Sequence, residues 1–540
     1  MRARQCIGSA LRWLFDGGPG GAPEPVGPRA SRLALYPAFA FLAGLLAFGA
    51  IQAEKPGLID IDAYYHVAAA RILAEHGVLD EFPWTTESVW RERFADKEFL
   101  FHALLIPFLG AEGRPGPKAL TVLLGALILS LFALLLCRLD VPWPWLWPAL
   151  VLCAGPWFLL RLSITRPHLL SILLCLGIAG CLTGRRRAIL LLLSALFPWC
   201  YTAFHLPLLL ALLFALAVRL SGGVWSWREP ALAAAGTLLG ALLHPQAANL
   251  WHLWWVQNVQ NPGQALADAS VSLNQALELR SPTGRMLLWE NGAVLLTAGG
   301  AALFALIRGV RARADTVFWL LLSGGFFVLY LNNRRFVEYW PFFALGAAAL
   351  LLRDAGTADL LAAWASRRKL QAAAVMGLAL ILLAGVLSAS LMLGQRLVGS
   401  MSVPALRQEA RWLAEHLPPG ELVFTGNWDD TPYLLYYAPK LRVLVTLDPT
   451  FMLARDAAAY RVWRELVEAG QGDPVDIIRG RFGARWVLLG RYPYAQALRE
   501  KLDADARFAR RFAGPEANIY ELTPEPAAAT STQMQRREGS

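Results

Sequence analysis

Cysteine is scarce and unpatterned in this chain: six residues in 540, with no CxxC pair among them. Cys6 lies near the N-terminus, while Cys137, Cys153, Cys175, Cys181 and Cys200 lie in apolar segments. That spacing excludes a disulfide framework or a thiolate zinc site as the organising principle. No glycine-rich phosphate loop, HExxH or GxSxG pattern occurs, so ATP-driven transport and serine-hydrolase chemistry find no support. The basic residues form no continuous stripe on a soluble segment, which argues against nucleic acid as a partner. A signal-peptide h-region is missing too. Residues 1–33 carry arginines and then turn Gly/Pro-rich (GGPGGAPEPVGP), too polar for a cleavable leader. They read as a disordered cytoplasmic tail ahead of a signal anchor.

What the chain has in abundance is apolar sequence. It is 56% hydrophobic with a mean hydropathy of +0.42, and its net charge of +10 comes with arginine predominating. Apolar runs of membrane-spanning length, about 20 residues to cross a hydrocarbon core, recur between residues 34 and 394. Arginines before the first run, at 34–52, place the N-terminus inside and the following loop, 53–98, outside. Further segments lie at 99–111, 119–137, 145–160 and 168–183, the last ending on the basic turn Gly184–Arg187. Orientation allows only two crossings among the first three of these, so either 99–111 or 145–160 is short, broken or re-entrant. Residues 188–218 read as a hairpin with its tip at Pro198–His205, and spans follow at 231–247, 286–307, 316–331, 337–352 and 370–394. The expected architecture is a membrane all-α domain over 34–398 with about eleven transmembrane helices.

From residue 399 the composition becomes that of a soluble domain. Short β-type runs at 422–424, 443–447 and 486–489 alternate with helical patterns at 404–416, 456–469 and 494–512. This predicts a small α/β extracytoplasmic domain over 399–523. The low-complexity end, 524–540, reads as a disordered tail.

Candidate chemistry concentrates in the first outer loop, DIDAYYHVAAARILAEHGVLDEFPWTTESVWRERFADKEFLFH, Asp60 to His102. Asp60 and Asp62 can bind a divalent cation or act as general bases toward a hydroxyl; the plainer reading is that they keep the loop soluble. His66, one helical turn beyond Asp62, and Arg71 can hold a phosphate or orient the acids. Glu98 and Lys97 stand at the mouth of the next apolar segment, where an ionisable group is a functional candidate and a lysine can also snorkel. His102 alone reads as a satisfied core histidine. Arg161, Arg166, His168, His205, His244, Gln246, Asn249, Glu278, Arg334 and Arg335 all fall at outer ends of spans or in outer loops. Outer arginines need a reason, and binding a phosphate head group supplies one; cytoplasmic turns are the alternative. In the soluble domain, Gly426–Asp430 and Thr446–Thr450 follow strands and serve as turns or as substrate-contacting loops.

Taken together, the acidic pair after the first span, the long first outer loop with its helix, the many later spans and the C-terminal outer domain resemble the GT-C superfamily. These are integral-membrane glycosyltransferases that use polyprenyl-phosphate-linked sugars. DIDAYYHVAAARILAEHG, DKEFLFH, ITRPHLLS, WCYTAFH, LHPQ and NNRRF are similar to the motifs of bacterial members, over about 50–400. The resemblance implies that Asp60 or Asp62 takes the place of the first-loop catalytic acid. Glu98 and Glu278 would then be secondary acids, with Arg166, Arg334 and Arg335 neutralising the lipid phosphate. Where the oligosaccharyltransferase branch has a further acidic motif, this chain offers only Asp140, so a divalent cation (Mg or Mn) on Asp60 and Asp62 stays optional.

The function so implied is inverting transfer of a sugar from a polyprenyl-phosphate donor to a glycan, lipid or protein acceptor. It would take place on the extracytoplasmic face of a bacterial inner membrane. A transporter or flippase of lipid-linked glycans is the competing reading, and it predicts an inverted repeat. No such repeat is seen, and the polar residues gather on one face. A non-catalytic protein of the same fold is the third.

Overall fold

The computed structural model of the chain describes residues 28–110, 116–261, 263, 280–357, 393–394 and 405–523. The apolar part is helical, as it must be where no water is at hand to satisfy backbone groups. Helix α1 (Pro28–Ala53) begins inside the stretch expected to be a disordered tail. It is followed by α2 (Ile61–His76) and the short α3 (Phe99–Leu105). Next come α4 (Gly116–Arg138), the half-length helices α5 (Leu146–Leu152) and α6 (Pro156–Leu162), and α7 (His168–Thr183). The expected hairpin is α8 (Arg187–Leu196) and α9 (Leu206–Leu220). Beyond it lie α10 (Arg228–Leu242), α11 (Ala247–Trp255), α12 (Gly292–Ile307), α13 (Ala314–Asn332) and α14 (Trp340–Asp354).

Among the described residues, three helices are long and apolar enough to cross a membrane: Leu33–Ala53, Gly116–Arg138 and Ala314–Asn332. The bent pair Arg228–Leu242 and Ala247–Gln260, turning by 117°, is a fourth if it forms one span. The other expected spans are built from shorter helices, and the span at 370–394, but for residues 393–394, lies outside the described residues. Both segments suspected of being incomplete are so. Phe99–Phe108 rises only about 15 Å, half a hydrocarbon core. The run at 145–160 breaks at Gly155, whose φ of +129° suits glycine alone and whose backbone approaches Glu290 so closely that a Cβ would meet its carbonyl oxygen at 2.0 Å. Small residues also bring α1 onto α4: a Cβ on Gly44 would stand 2.7 Å from the Ala126 Cα. Leu35, Phe39, Leu42 and Leu46 on α1 and Leu296, Leu303 and Leu306 on α12 are exposed, an apolar belt suited to lipid rather than water.

The C-terminal domain carries a five-stranded sheet in the order β2-β1-β3-β5-β4. Strand β1 (Leu422–Thr425) lies between β2 (Arg442–Val443) and the central β3 (Trp486–Gly490) and is parallel to both. Strands β4 (Phe508–Ala513) and β5 (Ala517–Leu522) pair as an antiparallel hairpin on β3. Two sequence expectations need correcting. The run at 443–447 contributes only Val443 to β2, because the chain leaves the sheet and passes through a left-handed Leu447 at φ +64°. The helical pattern at 494–512 ends at Ala504, and 508–513 is a strand. The Asp505 carbonyl accepts from the Phe508 N–H at 2.9 Å in a turn, and β4 then finds its hydrogen bonds on β5.

The first loop is fastened to this domain. The Val443 N–H donates to the Trp84 carbonyl at 2.8 Å, and the Thr86 N–H donates back to Val443 at 2.9 Å, extending the sheet beyond β2. Tyr64 on α2 packs against Tyr433, Tyr436 and Tyr437 of the helix Thr431–Tyr437, with ring centroids 4.7, 5.1 and 5.9 Å away. Arg71, two turns further along the same face of α2, lies 4.3 Å over the Tyr436 ring.

Candidate active site

Asp60 stands at the N-cap of α2 with extended backbone, but its carboxylate turns away from the helix. It reaches Arg166, held in the short connection ahead of Pro167, which N-caps α7. The guanidinium takes Asp60 at both oxygens, Nη2 donating to Oδ1 at 2.8 Å and Nε to Oδ2. Its Nη1 lies 3.0 Å from Oδ2 of Asp62. The three side chains are 13% (Asp60), 25% (Asp62) and 10% (Arg166) exposed, so Asp62 is the one open to a ligand.

Above them sits Asp429, on the turn after β1 that Asn427 caps by accepting from the Asp429 N–H at 3.0 Å. Burial, then the negative charge of Asp62, Asp430 and Asp60, pushes its carboxyl up to about 8, against the pull of Arg166. Burial likewise pushes Asp430 up to about 7, although Tyr492 donates to it at 2.6 Å. Asp429 is therefore a neutral acid at pH 7, among two carboxylates and one guanidinium.

One turn along α2, His66 meets a second group of residues. Its Nδ1 lies 2.9 Å from Nε2 of His102, whose Nδ1 is 2.7 Å from Oδ2 of Asp96. Glu98 approaches His66 to 4.0 Å and Lys97 to 3.6 Å. Burial, with the positive field of His102 and Arg166, holds His66 well below the usual histidine range and therefore neutral. Asp96 and the loop are braced from the start of α11: the Asp96 N–H donates to Oε1 of its N-cap Gln246 at 2.8 Å, and Asn249 donates to the Phe94 carbonyl at 2.9 Å.

A third group centres on the buried Arg161, His168 and Glu338, with Arg335 half-buried at its edge. Arg161 donates to Oε2 of Glu338 from Nε at 3.0 Å and Nη2 at 2.8 Å. His168 lies 3.7 Å from the same oxygen, and Arg335 approaches Oε1 at 3.8 Å.

The structure thus brings together Asp60, Asp62 and Arg166, and separately His66, Lys97 and Glu98; it sets His168 and Arg335 around Glu338. It leaves His205 and Arg334 apart, His205 beside Trp254 and Arg334 reaching the Ser281 carbonyl at 3.4 Å. His244 packs against Trp199, accepts from the Gln246 N–H at 3.1 Å and lies against the Asp96 backbone. Glu278 lies outside the described residues. Sequence reasoning gave no role to Asp96 or Glu338 and left His102 and Asp429 to packing and turn chemistry. The Asp-x-Glu-x-x-x-His spacing of Asp96, Glu98 and His102 was a usable signal; the approach of Asp429 had none.

No protein-family model matches the chain, and no curated protein matches it in sequence. Solved structures do match. The chain is similar to the apo oligosaccharyltransferase of Archaeoglobus fulgidus at 13% identity and a TM-score of 0.59, covering 83% of this chain and 69% of that one. It is similar to ArnT from Cupriavidus metallidurans bound to undecaprenyl phosphate at 15% identity and a TM-score of 0.54, covering 90% and 98%. The chain has the GT-C fold. The archaeal enzyme AglB from Archaeoglobus fulgidus, in complex with an inhibitory peptide and a dolichol-phosphate, shares it at 12% identity and a TM-score of 0.56, covering 92% of this chain and 76% of that one. The resemblance read from the first-loop acids and the later motifs holds at the level of this fold.

A divalent cation fits Asp60 and Asp62 poorly. The Arg166 guanidinium bridges the two carboxylates and already supplies the positive charge such an ion would bring.

Proposed function

We propose that the chain is an integral-membrane glycosyltransferase that moves a sugar from a polyprenyl-phosphate donor to a hydroxyl acceptor on the extracytoplasmic face. The observation that carries this reading is the contact of both first-loop aspartates with Arg166 beneath the C-terminal domain, in a chain of GT-C fold. ArnT, the relative that binds undecaprenyl phosphate, and AglB, the relative that binds dolichol-phosphate, favour a lipid-phosphate donor here too.

In the proposed step the acceptor oxygen attacks the anomeric carbon on the face opposite the phosphate, which inverts the configuration. Asp62, the more open acid, takes the hydroxyl proton as general base. The bond between the anomeric carbon and the phosphate oxygen breaks, and its electron pair leaves with the phosphate. Arg166, aimed by its two contacts to Asp60, neutralises that developing charge, and preorganised charge of this kind is expected to dominate such a step. Asp429, neutral at pH 7, donates a hydrogen bond to the bound substrate without adding repulsion. Lys97 and Arg335 are further cationic contacts for the phosphate, and Glu98 is a secondary acid beside Lys97.

The test supplies membranes containing the chain with undecaprenyl-phosphate donors carrying radiolabelled sugars. Transfer of label out of the lipid fraction, absent from membranes with Asp62→Asn at equal abundance, is the expected result. Label that stays on every donor while crossing to the opposite leaflet would replace this reading with the flippase.

A further inference from the structure

We propose that His66, His102 and Glu98 form a binding site for one zinc-class divalent cation, with Asp96 as the residue that positions His102. Nitrogens of the two histidines and a carboxylate oxygen of Glu98 lie within 4.8 Å of one another, and all three residues are buried. Two imidazoles and a carboxylate are a donor set that holds zinc through three protein ligands with a fourth position open. Magnesium and calcium prefer oxygen ligands throughout, so nitrogen donors select against them.

The geometry is close to what such an ion needs. His66 Nδ1 and His102 Nε2 are 2.9 Å apart. Two nitrogens on one tetrahedral zinc at about 2.0–2.1 Å stand roughly 3.3 Å apart, so the rings have to part by only about 0.4 Å. Asp96 Oδ2, 2.7 Å from Nδ1 of His102, is the carboxylate partner that fixes a ligand histidine's tautomer and leaves the opposite lone pair for the metal. Asp96 is itself held, its Oδ1 accepting from the Glu98 N–H at 3.1 Å. Without an ion, the His102 lone pair accepts the Nδ1 proton of His66. With one, His66 carries that proton on Nε2 instead, a tautomer exchange with no net proton release. Lys97 opposes the cation, 3.6 Å from Glu98; it also reaches Gln257 Oε1 at 3.3 Å, where the ammonium rests once an ion takes Glu98.

The site takes none of Asp60, Asp62 and Arg166 as a ligand and does not rest on the glycosyl-transfer reading. Its test is metal content, not activity. Full-length protein purified in detergent without chelator is analysed for metals, then titrated with zinc chloride and with cobalt(II), whose visible spectrum reports tetrahedral nitrogen and oxygen ligation. The expected result is about one zinc per chain in the wild type. His66→Asn and His102→Gln lose it, Asp96→Asn binds about 10–100-fold more weakly, and Asp62→Asn keeps full occupancy. If the histidine variants fail to fold, Asp96→Asn and the melting point decide: a chelator lowers the wild-type midpoint and zinc restores it. Wild type that takes up neither metal, or Asp96→Asn that binds as tightly as wild type, overturns the site. So does zinc lost on Asp62→Asn and kept on His102→Gln.

Discussion

Arg166 meets Asp60 across 106 residues of sequence and holds both of its carboxylate oxygens, while its remaining terminal nitrogen touches Asp62. One guanidinium thus ties the start of α2 to the start of α7 and meets two near-identical acids unequally. The proposed reaction gives Asp60, engaged at both oxygens, the orienting of that cation and gives the more exposed Asp62 the part of base.

The first prediction follows from that division. Asp62→Asn lowers kcat by about 10²–10⁴-fold with donor KM little changed, as loss of a general base does. Asp60→Asn loosens Arg166 and raises donor KM instead. Initial rates over a range of donor concentrations separate the two, and equal kcat losses with unchanged KM in both variants would argue against the division.

A second prediction concerns pH. Asp429 has its folded-state carboxyl pushed from the ordinary value of 3.8 up to about 8, and Asp430 to about 7. A raised acid favours the folded state while it stays protonated. The unfolded chain starts to ionise near pH 4, so stability from these groups is lost from about pH 4 up to about 8 and is flat above. The detergent-solubilised midpoint should therefore fall between pH 5 and 8, and Asp429→Asn with Asp430→Asn should flatten the slope. An unchanged slope would assign it elsewhere. Above pH 8 the new charge beside Asp60 and Asp62 should also raise donor KM, and Asp429→Asn should abolish that rise.

The buried pair Arg161–Glu338 gives a third. The Arg161 side chain is 3% exposed and that of Glu338 is 0%. Glu338→Gln leaves a cation inside without its counter-charge and should cost about 3–5 kcal/mol. Arg161→Met in the same chain should recover much of it, which a double-mutant cycle on melting midpoints would measure. Additive losses would mean that the two residues act independently.

Fourth, Gly155→Ala places a methyl group against the Glu290 carbonyl at a φ of +129° and should lower the melting midpoint by several degrees. Gly49→Ala, in open space, should leave it unchanged. Equal effects would remove the reason given for the break between α5 and α6.

The membrane class, the hairpin at 188–218 and the α/β character of the C-terminal domain were legible because they rest on local apolar and β-type runs. Asp60, Asp62 and Arg166 were legible as candidates too, since charge beside a membrane is costly enough to stand out. Their mutual contact was not, because 106 residues of intervening chain carry no distance information. The strand 508–513 was hidden in a helix-like pattern, because its hydrogen bonds come from β5 and not from its own segment. His102 read as core by base rate; only the fold shows Asp96 behind it and His66 in front.

The most direct measurement is transfer of labelled sugar by wild type, Asp60→Asn and Asp62→Asn chains at matched membrane abundance. Product from the wild type, little from Asp62→Asn, and partial product from Asp60→Asn recovering at high donor concentration is the predicted result. Wild-type product from Asp62→Asn would contradict a catalytic acid in the first loop and, with it, the proposed reaction at this site.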